Sequence, residues 1–118
     1  MNNDENYGNI RISDDVLAKY ARDAVRETEG VADLSAGFTD ALSKNLLGKT
    51  NIYKGIRIVQ EEQEVQIDIH LIIKIGINIP EAAWNVQEKV KKRIESLTGI
   101  KVKAVNIFVE GVSSEDEQ

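Results

Sequence analysis

Between residues 65 and 75 the sequence reads VQIDIHLIIKI, and every odd position is aliphatic: Val65, Ile67, Ile69, Leu71, Ile73 and Ile75. Side chains of a strand alternate between its two faces, so this run requires a strand with one apolar side to bury. Gln66, Asp68, His70 and Lys74 fall between, on a side expected to be wet. GIRIV, from Gly55, has the same period, and the polar QEEQE that follows supplies a turn, so the two segments predict a β-hairpin ended by Gly76. A sheet that is apolar on one face needs a second layer to cover it.

Two helical segments are available for that layer. After a short strand candidate, GNIRIS, Ser13 is placed to cap a helix with Asp14 and Asp15 in its first turn. Val16, Leu17, Tyr20, Ala21, Ala24 and Val25 then recur at helical spacing up to a stop at Gly30. In NIPEAAWNVQEKVKKR, Asn78 and Glu81 have capping-box spacing and Pro80 sits in the first turn. That helix should bury Ala83, Val86, Val90, Ile94 and Leu97 and end at Gly99. A last strand, IKVKAVNIFVEGV, changes the parity of its apolar positions at Ala104, which predicts a bulge. Residues 31–54 permit a short helix near 38–47, from Leu34, Phe38, Leu42 and Leu46, or else an irregular excursion. The expected fold is a two-layer α+β domain: a small mixed sheet in β-α-β-β-α-β order with two main helices on one face. Residues 8–112 form this domain, with a disordered N-terminus over 1–7 and an acidic disordered tail over 113–118.

One domain fits 118 residues. The absence of cysteine rules out disulfides and thiolate metal sites, which is compatible with a reducing cytoplasm. MNNDENYGN has neither the basic nor the apolar region of a secretion signal. IHLIIKIGINI is too short to cross a bilayer and is interrupted by Lys74 and Gly76. The net charge of −5 resides at the termini, because residues 6–112 hold 15 acids and 15 bases. Within that body, 12–68 carries 11 acids and 7 bases, whereas 74–103 carries 7 bases and 3 acids. A head-to-tail contact between copies would join opposite signs.

Chemistry-bearing patterns are sparse. Gly48, Lys49 and Thr50 resemble the end of a phosphate-binding loop, but Ser43 stands where its first glycine is required. His70 is the only histidine, and with Asp68 alone it makes neither a zinc site nor a catalytic dyad; it reads as solvated or paired across strands. No two glycines are three residues apart, so the clamp of small KH-type RNA-binding modules is missing, and the charge is acidic. No catalytic residue, cofactor or metal is expected.

Trp84 stands apart. Two residues from Val86, it points about 200° away from that core position, on the side of Gln87, Glu88 and Lys91. Either the ring lies under the preceding loop, or it anchors a protein–protein interface, a setting in which tryptophan is enriched. Trp84, Glu88, Lys91 and Lys92 are the candidate interaction residues.

GNIRISDDVLAKYARDAVRETEGVADL resembles the opening of the Asp23/Gls24 family of alkaline-shock, or cell envelope stress response, proteins of Gram-positive bacteria. KGIRIV and GINIPEAAWNVQEKVKKRIESLTGIKVKAVNIFVEGV resemble its second half, in matching order and spacing over about residues 8–112. The resemblance implies a non-enzymatic, cytoplasmic, self-associating protein. It implies recruitment to the inner face of the cell membrane by a membrane-anchored relative, and a structural or adaptor role in envelope homeostasis. The alternative it suggests is a regulatory partner of a fatty-acid or lipid metabolism enzyme, and a small RNA-binding module ranks third.

Overall fold

The strand required by the odd-position aliphatics is the spine of the structure, a computed structural model that describes residues 7–35 and 51–114. In chain order the elements are α1 (Asp14–Arg26), β1 (Val31–Leu34), β2 (Asn51–Tyr53), β3 (Ile56–Glu61), β4 (Glu64–Lys74), α2 (Ile79–Thr98) and β5 (Lys101–Ser113). β4 is flanked on both edges. On one, β3 pairs antiparallel from Ile56 opposite Ile69 to Glu61 opposite Glu64, and β1 continues the same edge opposite Leu71–Ile73. The handover falls at His70, whose N–H donates to the Gly55 carbonyl (2.8 Å) and whose carbonyl accepts from the Ser35 N–H (2.8 Å). On the other edge β5 runs parallel to β4 along its whole length. β2 extends the sheet beyond β3, giving five strands, mixed in direction.

Both helices cover one face. Leu17, Ala21, Ala24 and Val25 of α1 and Ala82, Val86, Val90 and Ile94 of α2 form one buried cluster with Ile56, Ile58, Val65, Ile67, Ile69, Leu71 and Ile73 of the sheet. Ser13 caps α1, accepting from the Val16 N–H (3.2 Å), and Asn78 caps α2, accepting from the Glu81 N–H (2.9 Å). Gly99 ends α2 in the left-handed conformation.

The two-layer α+β class is as expected, with differences in detail. GNIRIS is not a strand: Ile10 is exposed, and the Ile12 carbonyl accepts from the Gln60 side chain (2.9 Å), not from a ladder partner. The described order therefore starts with α1, and β1 and β2 were not foreseen. α1 stops at Arg26, ahead of Gly30, where the Thr28 hydroxyl donates to the Ala24 carbonyl (2.8 Å). Ala82, not Ala83, takes the core position at the start of α2, and Leu97, one turn past Ile94, is exposed. The bulge near Ala104 is present: the register passes from Val102 to Ala104, leaving Lys103 extra. A second bulge leaves Glu110 extra between Val109 and Gly111. The helix proposed at 38–47, the Gly48–Thr50 motif, residues 1–6 and residues 115–118 lie outside the described residues.

Candidate interaction surface

α2 runs back over the sheet from the end of β4 to the start of β5, and its two flanks meet different neighbours. On the α1 flank, Lys89 Nζ donates to the Glu27 carbonyl (3.2 Å), a group at the C-terminus of α1 where the helix dipole favours a cation. Arg93 pairs with the Glu27 carboxylate (2.5 Å), and that hydrogen bond holds the Glu27 carboxyl below its ordinary range. Of the four cations clustered on α2, Lys89, Lys91, Lys92 and Arg93, two thus dock one helix on the other. They also neutralise part of the charge separation that the sequence shows between 12–68 and 74–103. Glu88 and Lys92 line the open groove beside these contacts.

On the opposite flank, side chains of α2 close the outer edge of β5. Gln87 Nε2 donates to the Val105 carbonyl (3.0 Å) and Lys91 Nζ to the Val102 carbonyl (3.3 Å). The Val102 N–H in turn donates to Glu95 Oε2 (2.9 Å), which also accepts from Lys91 (2.9 Å). These two bonds, from Lys91 first and Val102 second, lower the Glu95 pKa. Edge strands leave unpaired backbone groups, and here three side chains at helical spacing supply the partners. Trp84, three residues before Gln87 on the same side of α2, is 58% exposed, so the preceding loop does not bury it. The four predicted interaction residues are divided accordingly: Lys91 is committed to the β5 edge, Lys92 faces the groove, and Glu88 borders both flanks.

The sheet face away from the helices is not simply wet, contrary to the alternation reading. Asp68 and His70 are both buried. Asp68 accepts from Arg57 (3.0 Å) on β3 and from Asn106 (2.9 Å) on β5, a ladder across three strands. His70 stacks on Phe108 with ring centroids 4.6 Å apart, and its Nδ1 lies 2.6 Å from Glu110 Oε2. Glu110 Oε1 accepts from the Ser35 hydroxyl (2.9 Å). The bulge at Glu110 aims this carboxylate inward, and the His70 hydrogen bond lowers its pKa, with Ser35 assisting. Histidine paired across strands is thus the correct one of the two sequence readings. Serine, histidine and carboxylate meet here, but in the wrong order for nucleophilic catalysis: Ser35 bonds the carboxylate, whereas an activated serine must bond the imidazole. Among the described residues no group of three metal-ligating side chains converges.

Phe108 and Glu110 were missed by sequence reasoning. The available signal was the second parity change after Val109, where Val112 resumes the apolar pattern out of phase.

The fold defines a small two-layer α+β protein, with no group of three metal-ligating side chains and no serine–imidazole pair assembled among the described residues. The chain belongs to the Asp23 family, described as having a cell envelope-related function, whose model matches residues 2–114. It is 36% identical over 108 residues to the uncharacterized protein YloU of Bacillus subtilis, covering 90% of this chain and 89% of that one. It is 31% identical over 108 residues to the uncharacterized protein Spy1614 of Streptococcus pyogenes, covering 89% and 88%. In fold it is similar to the solved structure MamM-CTD 215-293, with a TM-score of 0.50 at 11% identity over 82% of this chain and 96% of the other. No described helix is long and apolar enough to cross a membrane.

Proposed function

We propose that this protein is a non-enzymatic structural or adaptor component of the cell envelope stress response. It acts by associating with itself and with a partner that holds it at the inner face of the membrane. The observation that carries this reading is Trp84: a large aromatic, mostly in solvent, on the flank of a rigidly docked helix and beside the row that closes β5. Aromatic anchors, tryptophan foremost, dominate binding energy at interfaces, and Trp84 is the one tryptophan of the chain. Family membership supports the envelope setting. The test is in-cell crosslinking followed by membrane fractionation, comparing the wild-type chain with Trp84→Ala. Wild-type adducts in the membrane fraction that fade in the variant support the reading. A protein that crosslinks to nothing, or that turns over a substrate, refutes it.

A further inference from the structure

Among the described residues the outer edge of β5 is closed only as far as Val105, and its continuation has the geometry to accept a strand. Backbone groups of a strand face alternate edges. The His70 N–H and carbonyl face β3 and β1, so those of Ile69 and Leu71 face β5 and engage Asn106 and Phe108. Ile107 and Val109 therefore direct their N–H and carbonyl groups outward, as Val105 does toward Gln87. No described strand pairs with them. This open stretch is bounded at one end by the Gln87 clamp on Val105 and at the other by the bulge at Glu110. Its midpoint is Phe108.

We propose that two copies of the chain join through this stretch, β5 against β5 antiparallel, about a two-fold axis at Phe108. The proposal rests on the self-association reading above and specifies its geometry. Ile107 pairs with the partner's Val109 through both outward backbone bonds, and the reverse. Phe108 then faces its own copy in a non-hydrogen-bonded pair, the type with the closest side chains. The two bounds fix the register, because pairing cannot extend past Val105 without displacing Gln87. A second copy fits better than an arbitrary strand because the pairing is self-complementary. The central Ile107-Phe108-Val109 is uncharged, Asn106 meets Glu110, and no like charges are opposed. Each Phe108 stays stacked on His70, so four rings line the outer face of a continuous sheet. On the helix face Trp84, about a residue and a half beyond the Gln87–Val105 level along the strand, lies near the axis between the two copies of α2.

Because the chain has no cysteine, Phe108→Cys provides a single reporter. In the proposed register its Cα lies about 4.5 Å from its mate, within disulfide range. Asn106→Cys is the control: the two copies of residue 106 would sit roughly 13 Å apart along the strands, too far to bridge. Under mild oxidation Phe108→Cys should convert almost wholly to a disulfide dimer, whereas Asn106→Cys should remain reduced. Phe108→Lys, which opposes two cations at an exposed site, should weaken dimerisation at least tenfold with its circular dichroism unchanged. If the wild type self-associates but Phe108→Cys fails to crosslink, or both cysteine variants crosslink equally, β5 pairing is wrong and association uses another surface. If the wild type stays monomeric, both the pairing and the self-association reading are overturned.

Discussion

Gly55 should be the most sensitive small residue in the structure. It occupies the β2–β3 turn with φ +73°, at the point where β1 hands the edge of β4 over to β3. A Cβ there would stand 3.0 Å from the Leu34 Cβ, 3.1 Å from the His70 carbonyl oxygen and 3.1 Å from the Ser35 nitrogen. Two of these atoms are backbone in the sheet, so neither can swing aside. Gly55→Ala therefore combines a left-handed conformation, costing about 1–2 kcal/mol, with overpacking of about 1–3 kcal/mol. Gly76→Ala is the matched control, because its φ is +87° but nothing lies within 4 Å of the added methyl. It should show the conformational cost alone. For 118 residues the unfolding entropy is roughly 250 cal/mol/K, so 1 kcal/mol corresponds to about 4 °C. Thermal unfolding by circular dichroism should place Gly76→Ala about 4–8 °C below the wild type and Gly55→Ala about 8–20 °C below. Equal shifts would refute the argument, since they would mean that the three close contacts at Gly55 do not exist.

Trp84→Ala should change the melting temperature little and weaken association by about 2 kcal/mol, roughly thirtyfold, measured by sedimentation; a large thermal shift with unchanged association would make the ring a core residue. Glu95 and Glu110 have lowered folded-state pKa values, so each contributes stability that is present above the unfolded carboxylate value, about 4.3, and is lost as pH falls through the folded value. Denaturant midpoints measured from pH 6 down to 3 should fall, and the fall should be shallower in a Glu95→Gln/Glu110→Gln variant than in the wild type. Assemblies larger than a dimer should shrink as salt rises above about 0.15 M, where the Debye length is about 8 Å. Lys92→Glu should accentuate this and is a cleaner probe than Lys91→Glu, which would also break the clamp on β5. Purified protein should show no saturable ATP binding in calorimetry, because the Gly48-Lys49-Thr50 sequence lacks the leading glycine of a phosphate loop.

Local rules were sufficient wherever the deciding contacts lie within one segment. The buried odd positions of β4, the caps at Ser13 and Asn78, the αL end at Gly99 and the bulge next to Ala104 all follow from period or cap chemistry. β1 was obscure because it is only four residues long and owes its existence to the upper half of β4. Ile10 and Ile12 have strand spacing but join no ladder: Ile10 is exposed, and the Ile12 carbonyl accepts from the Gln60 side chain. The burial of Asp68 and His70 depends on Arg57, Asn106, Phe108 and Glu110, which come from other strands and, for Glu110, from a bulge. The angle of Trp84 to Val86 placed it off the core side of α2, but whether the preceding loop covers it, and its place beside the β5 edge, required the structure.

The central claim is that this molecule works by association, and sedimentation equilibrium of the full chain tests it most directly. Runs from low micromolar to near-millimolar concentration, at low and at moderate salt, should show mass rising reversibly from monomer through dimer, with Trp84→Ala shifted to higher concentration. A single monomeric mass at every concentration and salt, identical for wild type and variant, would contradict it.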